Sequence, residues 1–283
     1  MTTRGAALAA ARARLATAGV DGAALDARVL LCHVLGCGPE TLVGWPERPM
    51  GDDEARRLDE LVDRRTRREP VAYLVGSREF WGLPFHVSPA TLIPRPDSET
   101  LVEAALDGVP DRLTRLRILD VGTGTGCLLI AVLRECPAAI GVGVDVVPAA
   151  LDLARRNADD LGVARRAAWV ADLDSAGAGF DLAIANLPYI PSGDLAGLDD
   201  DVRRHEPVSA LDGGRDGLDV FRAVLPMLPA RLVPGARVLL EVGAGQAPAV
   251  EALAVGIPGL ELRRRWRDLA GVDRVVELHH AAA

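Results

Sequence analysis

The sequence predicts an α/β fold: a doubly wound, mostly parallel sheet of seven strands behind a small N-terminal domain made only of helices. Three observations carry this. Residues 5 to about 72 repeat apolar positions at helical spacing. From about residue 97 onward, short apolar runs alternate with helical stretches. The two last strand-like runs lie only a few residues apart, which permits an antiparallel hairpin but not a parallel crossover.

The helical part opens with Leu8, Ala11, Leu15 and Ala18 on one face, then Leu25, Val29, Leu30 and Val34 on the next, punctuated by Gly36 and Gly38. Glu54 to Arg67 predicts a third, highly charged helix with Leu58, Leu61 and Val62 aligned. Between Tyr73 and Pro96 the texture changes. Glu79 to Phe85 predicts a hairpin with a Gly-containing turn. Pro89, Pro94 and Pro96 then hold the chain extended. A helix resumes at about Asp97, an N-cap candidate, with Glu99 in its first turn.

Leu116–Val121, Ile140–Asp145, Ala167–Ala171, Phe180–Asn186 and Arg237–Val242 predict five parallel strands, separated by helices that include Cys127–Arg134 and Pro148–Leu161. Leu260–Trp266 and Val272–Leu278 predict the closing antiparallel pair. The domains expected are 1–73 (helical), 74–96 (hairpin connector) and 97–283 (the sheet).

A chain of 283 residues with 49% hydrophobic content can bury a sizeable core. Its apolar runs are too short to span a bilayer, and Met1 to Ala10 has no secretory apolar core, so a cytosolic protein is expected. Cys32, Cys37, Cys127 and Cys136 have no metal-ligand spacing and predict buried, reduced thiols with no metal. All 32 basic residues are Arg, for which we have no functional account. The net charge of −8 argues against nucleic acid as partner, since such proteins bind through basic surfaces, although Arg263, Arg264 and Arg265 could form a local patch.

The first parallel strand runs through Asp120 into Val121-Gly122-Thr123-Gly124-Thr125-Gly126. Alternate glycines let the backbone turn tightly and approach a ligand. The dinucleotide fingerprint needs its third glycine one place later, where Cys127 stands. A carboxylate at Asp120 would repel a pyrophosphate but welcome the ammonium and sulfonium of a methionine moiety. Asp145, 19 positions after Gly126, can accept from two ribose hydroxyls. S-adenosylmethionine is therefore the expected cofactor. The plainer alternative is that Asp120 and Asp145 cap neighbouring helices. Asp172 and Leu173, after the third parallel strand, could contact adenine, or Asp172 could be a solvated loop residue.

The fourth parallel strand delivers Asn186-Leu187-Pro188-Tyr189 to the carboxyl edge, where ligands of open α/β sheets bind. An amide nitrogen is a poor nucleophile because its lone pair is delocalised. A site that methylates one should hold both N–H bonds with acceptors, and the Asn186 carboxamide oxygen and the Leu187 carbonyl are candidates. Tyr189 offers a face for a flat amide or base. Catalysis would be proximity and orientation, with no general base evident. Taken alone, such a tetrad is an ordinary turn.

These residues resemble the bacterial peptide-chain release factor glutamine methyltransferases over nearly the whole chain. The likeness lies in Glu69-Pro70-Val71-Ala72-Tyr73, Phe80-Trp81-Gly82-Leu83, Ile93-Pro94-Arg95-Pro96-Asp97-Ser98-Glu99, Glu206-Pro207 with Ala210-Leu211, Asp216-Gly217-Leu218 and Asp268-Leu269-Ala270-Gly271. The resemblance implies a Rossmann-like class I methyltransferase domain acting on the glutamine of a Gly-Gly-Gln motif in release factors. It places Gly122 to Gly126, Asp145, Leu173 and Asn186 around the cofactor, and Asn186 to Tyr189 around the glutamine amide. The protein is expected to act as a monomer, with no membrane and no direct nucleic-acid partner.

Two departures stand out. The family tetrad usually has Pro where this chain has Leu187, which removes one φ lock and restores an N–H; a modest loss of rigidity follows. Leu173 replaces a frequent aromatic and could weaken adenine packing. Asn-Leu-Pro-Tyr is also the tetrad of ribosomal RNA adenine dimethyltransferases, so adenine-N6 methylation is the alternative activity. Against it stand the acidic balance, the helical domain and the Pro-Arg-Pro connector. A non-enzymatic, degenerate member is a further reading, opposed by the intact Asn186 and Tyr189.

Overall fold

Helix α1 (Arg4–Thr17) starts where the Thr3 hydroxyl accepts from the Ala6 N–H at 3.3 Å. It packs on α2 (Ala23–Leu35) and α4 (Asp52–Thr66), with α3 (Pro39–Gly44) and α5 (Val71–Val75) completing the bundle. Leu15, Leu30, Leu31 and Val62 are fully buried at its centre. α2 stops at Gly36, whose φ of 59° suits glycine. α4 carries Asp52, Asp53 and Glu54 in its first turn and Arg64 and Arg65 in its last, matching the helix dipole at both ends. α3 and α5, of six and five residues, escape periodicity because neither completes two turns.

This is a computed structural model, and it describes residues 2–281; Met1, Ala282 and Ala283, the outer ends of the first and last expected domains, lie outside the described residues. The chain forms two compact units, Met1–Ser77 with Asp199–His205, and Arg78–Leu198 with Glu206–Ala283. The short inserted helix Asp200–His205, α9 in chain order, thus belongs with the helical unit. The buried guanidinium of Arg65 joins Asp26 and Asp201, each at 2.7 Å, which ties that insert to α2 and α4.

A hairpin of β1 (Ser77–Phe80) and β2 (Leu83–His86), turning at Trp81-Gly82, follows the N-terminal helices, all but Ser77 of it in the larger unit. The sheet of that unit is built from β3 (Arg117–Val121), β4 (Ile140–Val144), β5 (Ala167–Val170), β6 (Phe180–Ala185), β7 (Leu232–Glu241), β8 (Leu260–Arg267) and β9 (Asp273–His280). The order is β5-β4-β3-β6-β7-β9-β8, parallel except for β9, as expected from the sequence. Helices α6 (Glu99–Asp107), α7 (Cys127–Glu135), α8 (Pro148–Asp160), α10 (Asp219–Val224) and α11 (Ala247–Val255) accompany it. Chain order reverses between β3 and β6, and this switch point opens a crevice at the carboxyl edge.

Three expectations need correction. Asp97 does not cap α6: Pro96–Ser98 forms a single 3-10 turn, α6 starts at Glu99, and the Asp97 carboxylate pairs with Arg274 at 2.8 Å. β7 begins at Leu232, not Arg237, because its pairing with β6 jumps from Phe180–Leu232 to Leu182–Arg237 across a bulge at Pro234-Gly235. The cysteines are unpaired, but only Cys136 is buried; Cys32, Cys37 and Cys127 are half-buried. Among the described residues, no group of three or more His, Cys, Asp or Glu is placed to hold a metal ion, and no helix is long and apolar enough to cross a membrane.

Candidate active site

The loop from β3 to α7 is shaped by its own backbone. The N–H groups of Gly122 and Thr123 both donate to the Val144 carbonyl at 2.9 Å, folding the loop over the end of β4. Gly126, at φ 79°, begins α7, and a Cβ there would lie 2.9 Å from the Trp169 ring, so only glycine fits. Thr125 is buried, and its carbonyl accepts from Asn157 at 2.9 Å.

Asp145 holds the loop from the neighbouring strand. Its Oδ2 accepts from the Gly124 N–H and its Oδ1 from the Val147 N–H, both at 2.9 Å. Each oxygen keeps a further lone pair for a hydroxyl. Asp172 accepts from the Ser175 N–H at 2.7 Å, which lowers its pKa and closes a turn. Leu173 is buried beside it, with its carbonyl held by Arg231 at 2.8 Å.

These parts surround a cavity of about 460 Å³ in the larger unit. Of the expected site residues, Gly122, Thr123, Gly124, Asp145, Asp172, Leu173, Asn186, Leu187 and Pro188 line it. Asp120, Thr125, Gly126 and Tyr189 do not. Asp120 lies fully buried beneath the loop, where its Oδ2 accepts from the Thr123 hydroxyl at 2.5 Å and its Oδ1 has no protein partner. Burial pushes its pKa up to about 7. Its place is therefore under the loop as a brace, not on the wall as a bare carboxylate.

The tetrad leaves β6 with Asn186 half-buried and Leu187 3% exposed. Asn186 Nδ2 donates to the Ser98 hydroxyl at 3.2 Å, and Glu241 is buried at the neighbouring position of β7 with its Oε2 unpartnered. The Tyr189 ring sits near Glu241 and Arg274 instead of facing the cavity, and burial raises its pKa to about 12. Gly213 and Gly217 let the following loop pass close over the tetrad: a Cβ at either would fall within 3 Å of the Pro188 or Tyr189 carbonyl.

Several participants escape sequence reasoning. Val146, which is exposed, lines the cavity, and so do Arg95, Ser209, Met227 and the buried Ser98. Glu241 ends the apolar run of β7 at the same sheet edge as Asp120 and Asp145, a signal that could have found it. Three motif residues acquire structural roles. Glu99 accepts from the Trp81 N–H at 2.8 Å and pins the hairpin turn. Glu206 accepts from the Ile93 N–H at 3.2 Å and from Arg95, bracing the connector.

The lining of the cavity matches the chemistry of S-adenosylmethionine. Its charged side chains are Arg95, Asp145 and Asp172, a balance that suits a cationic nucleoside better than one bearing phosphates. The glycine backbone permits close approach, Asp145 has spare acceptor capacity for a ribose, and Val146 and Leu173 offer apolar cover for a base. The residues fit the group.

Comparison with known proteins gives two matching family models, "PrmC N-terminal domain" over residues 6–76 and "Methyltransferase domain" over residues 118–205. The chain is 45% identical to the release factor glutamine methyltransferase of Bradyrhizobium diazoefficiens, over 93% of this chain and 90% of that one. It is 43% identical to the protein of the same name in Cereibacter sphaeroides, over 98% of both. A methyltransferase from Pyrococcus furiosus shares the fold with a TM-score of 0.53 at 14% identity, over 71% of this chain and 90% of that chain.

Proposed function

Because the chain belongs to the release factor glutamine methyltransferase family, we propose that it methylates the side-chain amide nitrogen of the glutamine in the Gly-Gly-Gln motif of peptide-chain release factors. The observation that carries this is identity above 40% along almost the full length of both relatives. The same relatives favour glutamine over the adenine of ribosomal RNA as the target.

S-adenosylmethionine supplies a methyl group on a sulfonium, open to in-line displacement. Gly122, Thr123 and Gly124 hold it with their backbone, Asp145 takes the ribose hydroxyls, and Leu173 and Val146 cover the adenine. Asp120 and the buried Thr125 and Gly126 shape the loop from behind. Asn186 Oδ1 and the Leu187 carbonyl accept the two N–H bonds of the glutamine amide, which turns the nitrogen lone pair toward the methyl group. Pro188 keeps Leu187 extended for this purpose. Tyr189 supports the tetrad from outside the cavity.

Orientation of this kind can supply up to roughly 7–11 kcal/mol of a barrier. The helical domain, 1–73, is read as the surface that recognises the release factor, 74–96 as the connector, and 97–283 as the methyl-transferring domain. The protein is read as a cytoplasmic monomer that meets its protein substrate without nucleic acid.

The test offers the purified protein methyl-labelled S-adenosylmethionine with a release factor and, separately, ribosomal RNA. Label on the Gly-Gly-Gln glutamine, absent with Asn186→Ala, is expected. Label on RNA adenine would overturn the substrate, and label on neither with cofactor still bound would send the search to another protein.

A further inference from the structure

β6 and β7 are parallel neighbours with Ala185 opposite Leu240, so the next residues, Asn186 and Glu241, stand side by side at the carboxyl edge. Glu241 is 2% exposed, its carboxylate feels the Ser98 and Asn186 side chains beside it, and its Oε2 is buried with no hydrogen-bond partner. Ser98, itself 3% exposed, also accepts from Asn186 Nδ2. A buried carboxylate is costly unless it is paired or hydrogen-bonded, and the Asn186 N–H bonds are beside this one.

We propose that Glu241 is a positioning residue for methyl transfer: together with Ser98 it holds the N–H bonds of the Asn186 carboxamide, so that Oδ1 faces the substrate amide. This rests on the reading of Asn186 as an acceptor for that amide. The two ends of a carboxamide are nearly equal in shape and opposite in chemistry. If Asn186 turned over, it would aim N–H bonds at the N–H bonds of the glutamine. An ionised carboxylate accepts and never donates, so it selects one orientation. A protonated Glu241 carries an O–H that can donate to Oδ1, competing with the substrate for the same lone pairs.

That competition falls within the working pH range. Burial, helped by Asp97, pushes Glu241 up to about 7, while Ser98, Arg274 and Asn186 pull the other way. The groups facing it are Arg274 from β9, Asp97 and Ser98 from the 3-10 turn, Asn186 and Tyr189 from the tetrad, and Cys127 from α7. Arg274 stays charged, since its pKa is raised, with Asp268 and Asp97 each at 2.8 Å. Tyr189 and Cys127, both pushed up to about 12, stay neutral. Asp120 also titrates near 7, so the wild-type profile has to be compared with that of a Glu241 variant.

The experiment measures single-turnover methylation of a release factor between about pH 5.5 and 8.5, with S-adenosylmethionine affinity by calorimetry as a second readout. Wild type is expected to speed up as Glu241 ionises. Glu241→Gln, which mimics the protonated form, should be slower by about 10²-fold at neutral pH and lose the Glu241 limb of the profile, with cofactor affinity within about threefold of wild type. Ser98→Ala should slow the reaction and Ser98→Thr, which keeps the hydroxyl, should restore it. A folded, cofactor-binding Glu241→Gln with the wild-type rate and profile overturns the inference and leaves glutamine methylation standing. If that variant does not fold, equal rates for Ser98→Ala and Ser98→Thr overturn it instead. Wild type that puts no label on glutamine sinks the reading beneath it.

Discussion

Gln246 Nε2 donates to the carbonyl of Tyr189 at 2.8 Å, while Gln246 Oε1 accepts from the Gly243 N–H at 2.9 Å. One side chain at the start of α11 thus ties the exit of the tetrad to the end of β7. The tetrad leaves the sheet edge, so its backbone has no ladder to hold it, and this bridge substitutes for one.

Removing the bridge should cost more in rate than in stability. Gln246→Ala is expected to lower stability by about 1 kcal/mol and turnover by about tenfold. Gln246→Glu keeps an acceptor for Gly243 but sets a carboxylate against the Tyr189 carbonyl, so it should be at least as slow. Steady-state rates with thermal melts check both, and two variants with wild-type turnover would sink the idea.

Leu187 gives the second prediction. Its side chain is buried in the core, and its Cδ2 lies 3.5 Å from where a Cβ on Gly122 would sit. Leu187→Pro trades some packing, about 1 kcal/mol, for a fixed φ at the carbonyl that holds the amide. Turnover should stay level or rise while the melting temperature falls slightly. A folded Leu187→Pro with reduced turnover would falsify the view that leucine costs this loop rigidity. Leu187→Ala loses packing without gaining the lock, and should destabilise by about 2–4 kcal/mol.

The pH dependence of the ligand-free protein follows from two carboxyls raised by burial. Asp120 goes from 3.8 to about 7 and Glu241 from 4.5 to about 7. A raised folded-state value means the folded protein binds more protons than the unfolded chain between those limits. Their contribution is therefore fully present below about pH 4 and lost as pH rises through about 7. In the opposite direction, Arg237, Arg264 and Trp266 hold Glu277 down to about 2, against its burial, so its contribution is present above 4.5 and lost as pH falls through about 2. Thermal melts should show stability falling between about pH 4 and 7, with the slope reduced in Asp120→Asn and in Glu241→Gln. An unchanged slope in both would remove these two groups as its cause.

What the sequence discloses here is what short-range chemistry encodes. The strand cores of β3 to β6 read directly as apolar runs, and Asp120, Asp145 and the glycines announce a ligand loop because each departs from its surroundings. The final hairpin is legible because a link that short leaves one pairing. The partners of these residues are not legible. Glu241 stands 55 positions after Asn186, and only the β6–β7 register brings them together. Gln246 is an ordinary residue until the fold carries it to Tyr189. Asp97 sits where a capping residue would, yet Arg274 offers it a better partner than the helix end. β7 hides its first residues behind Pro234 and Gly235, which mark a turn in most contexts and a bulge in this one.

Glu206 gives the last prediction. Its carboxylate, 1% exposed, is the meeting point of the Ile93 N–H and the Arg95 guanidinium. Thr91, Leu92, Pro94 and Arg95 form one stretch of cavity wall, and Ser209 and Ala210, just beyond Glu206, form another. The carboxylate therefore joins two stretches of wall that no sheet ladder connects. Glu206→Ala leaves the buried Ile93 N–H unpaired and Arg95 without its counter-charge, at an expected cost of about 3–5 kcal/mol. Glu206→Gln still accepts from Ile93 and should cost less. A double-mutant cycle with Arg95→Ala separates the two contacts: a coupling energy of about 1–3 kcal/mol assigns most of the effect to the ion pair. A cycle that sums to zero would instead place the effect on the Ile93 hydrogen bond, and wild-type stability in Glu206→Ala would deny the carboxylate any bracing role.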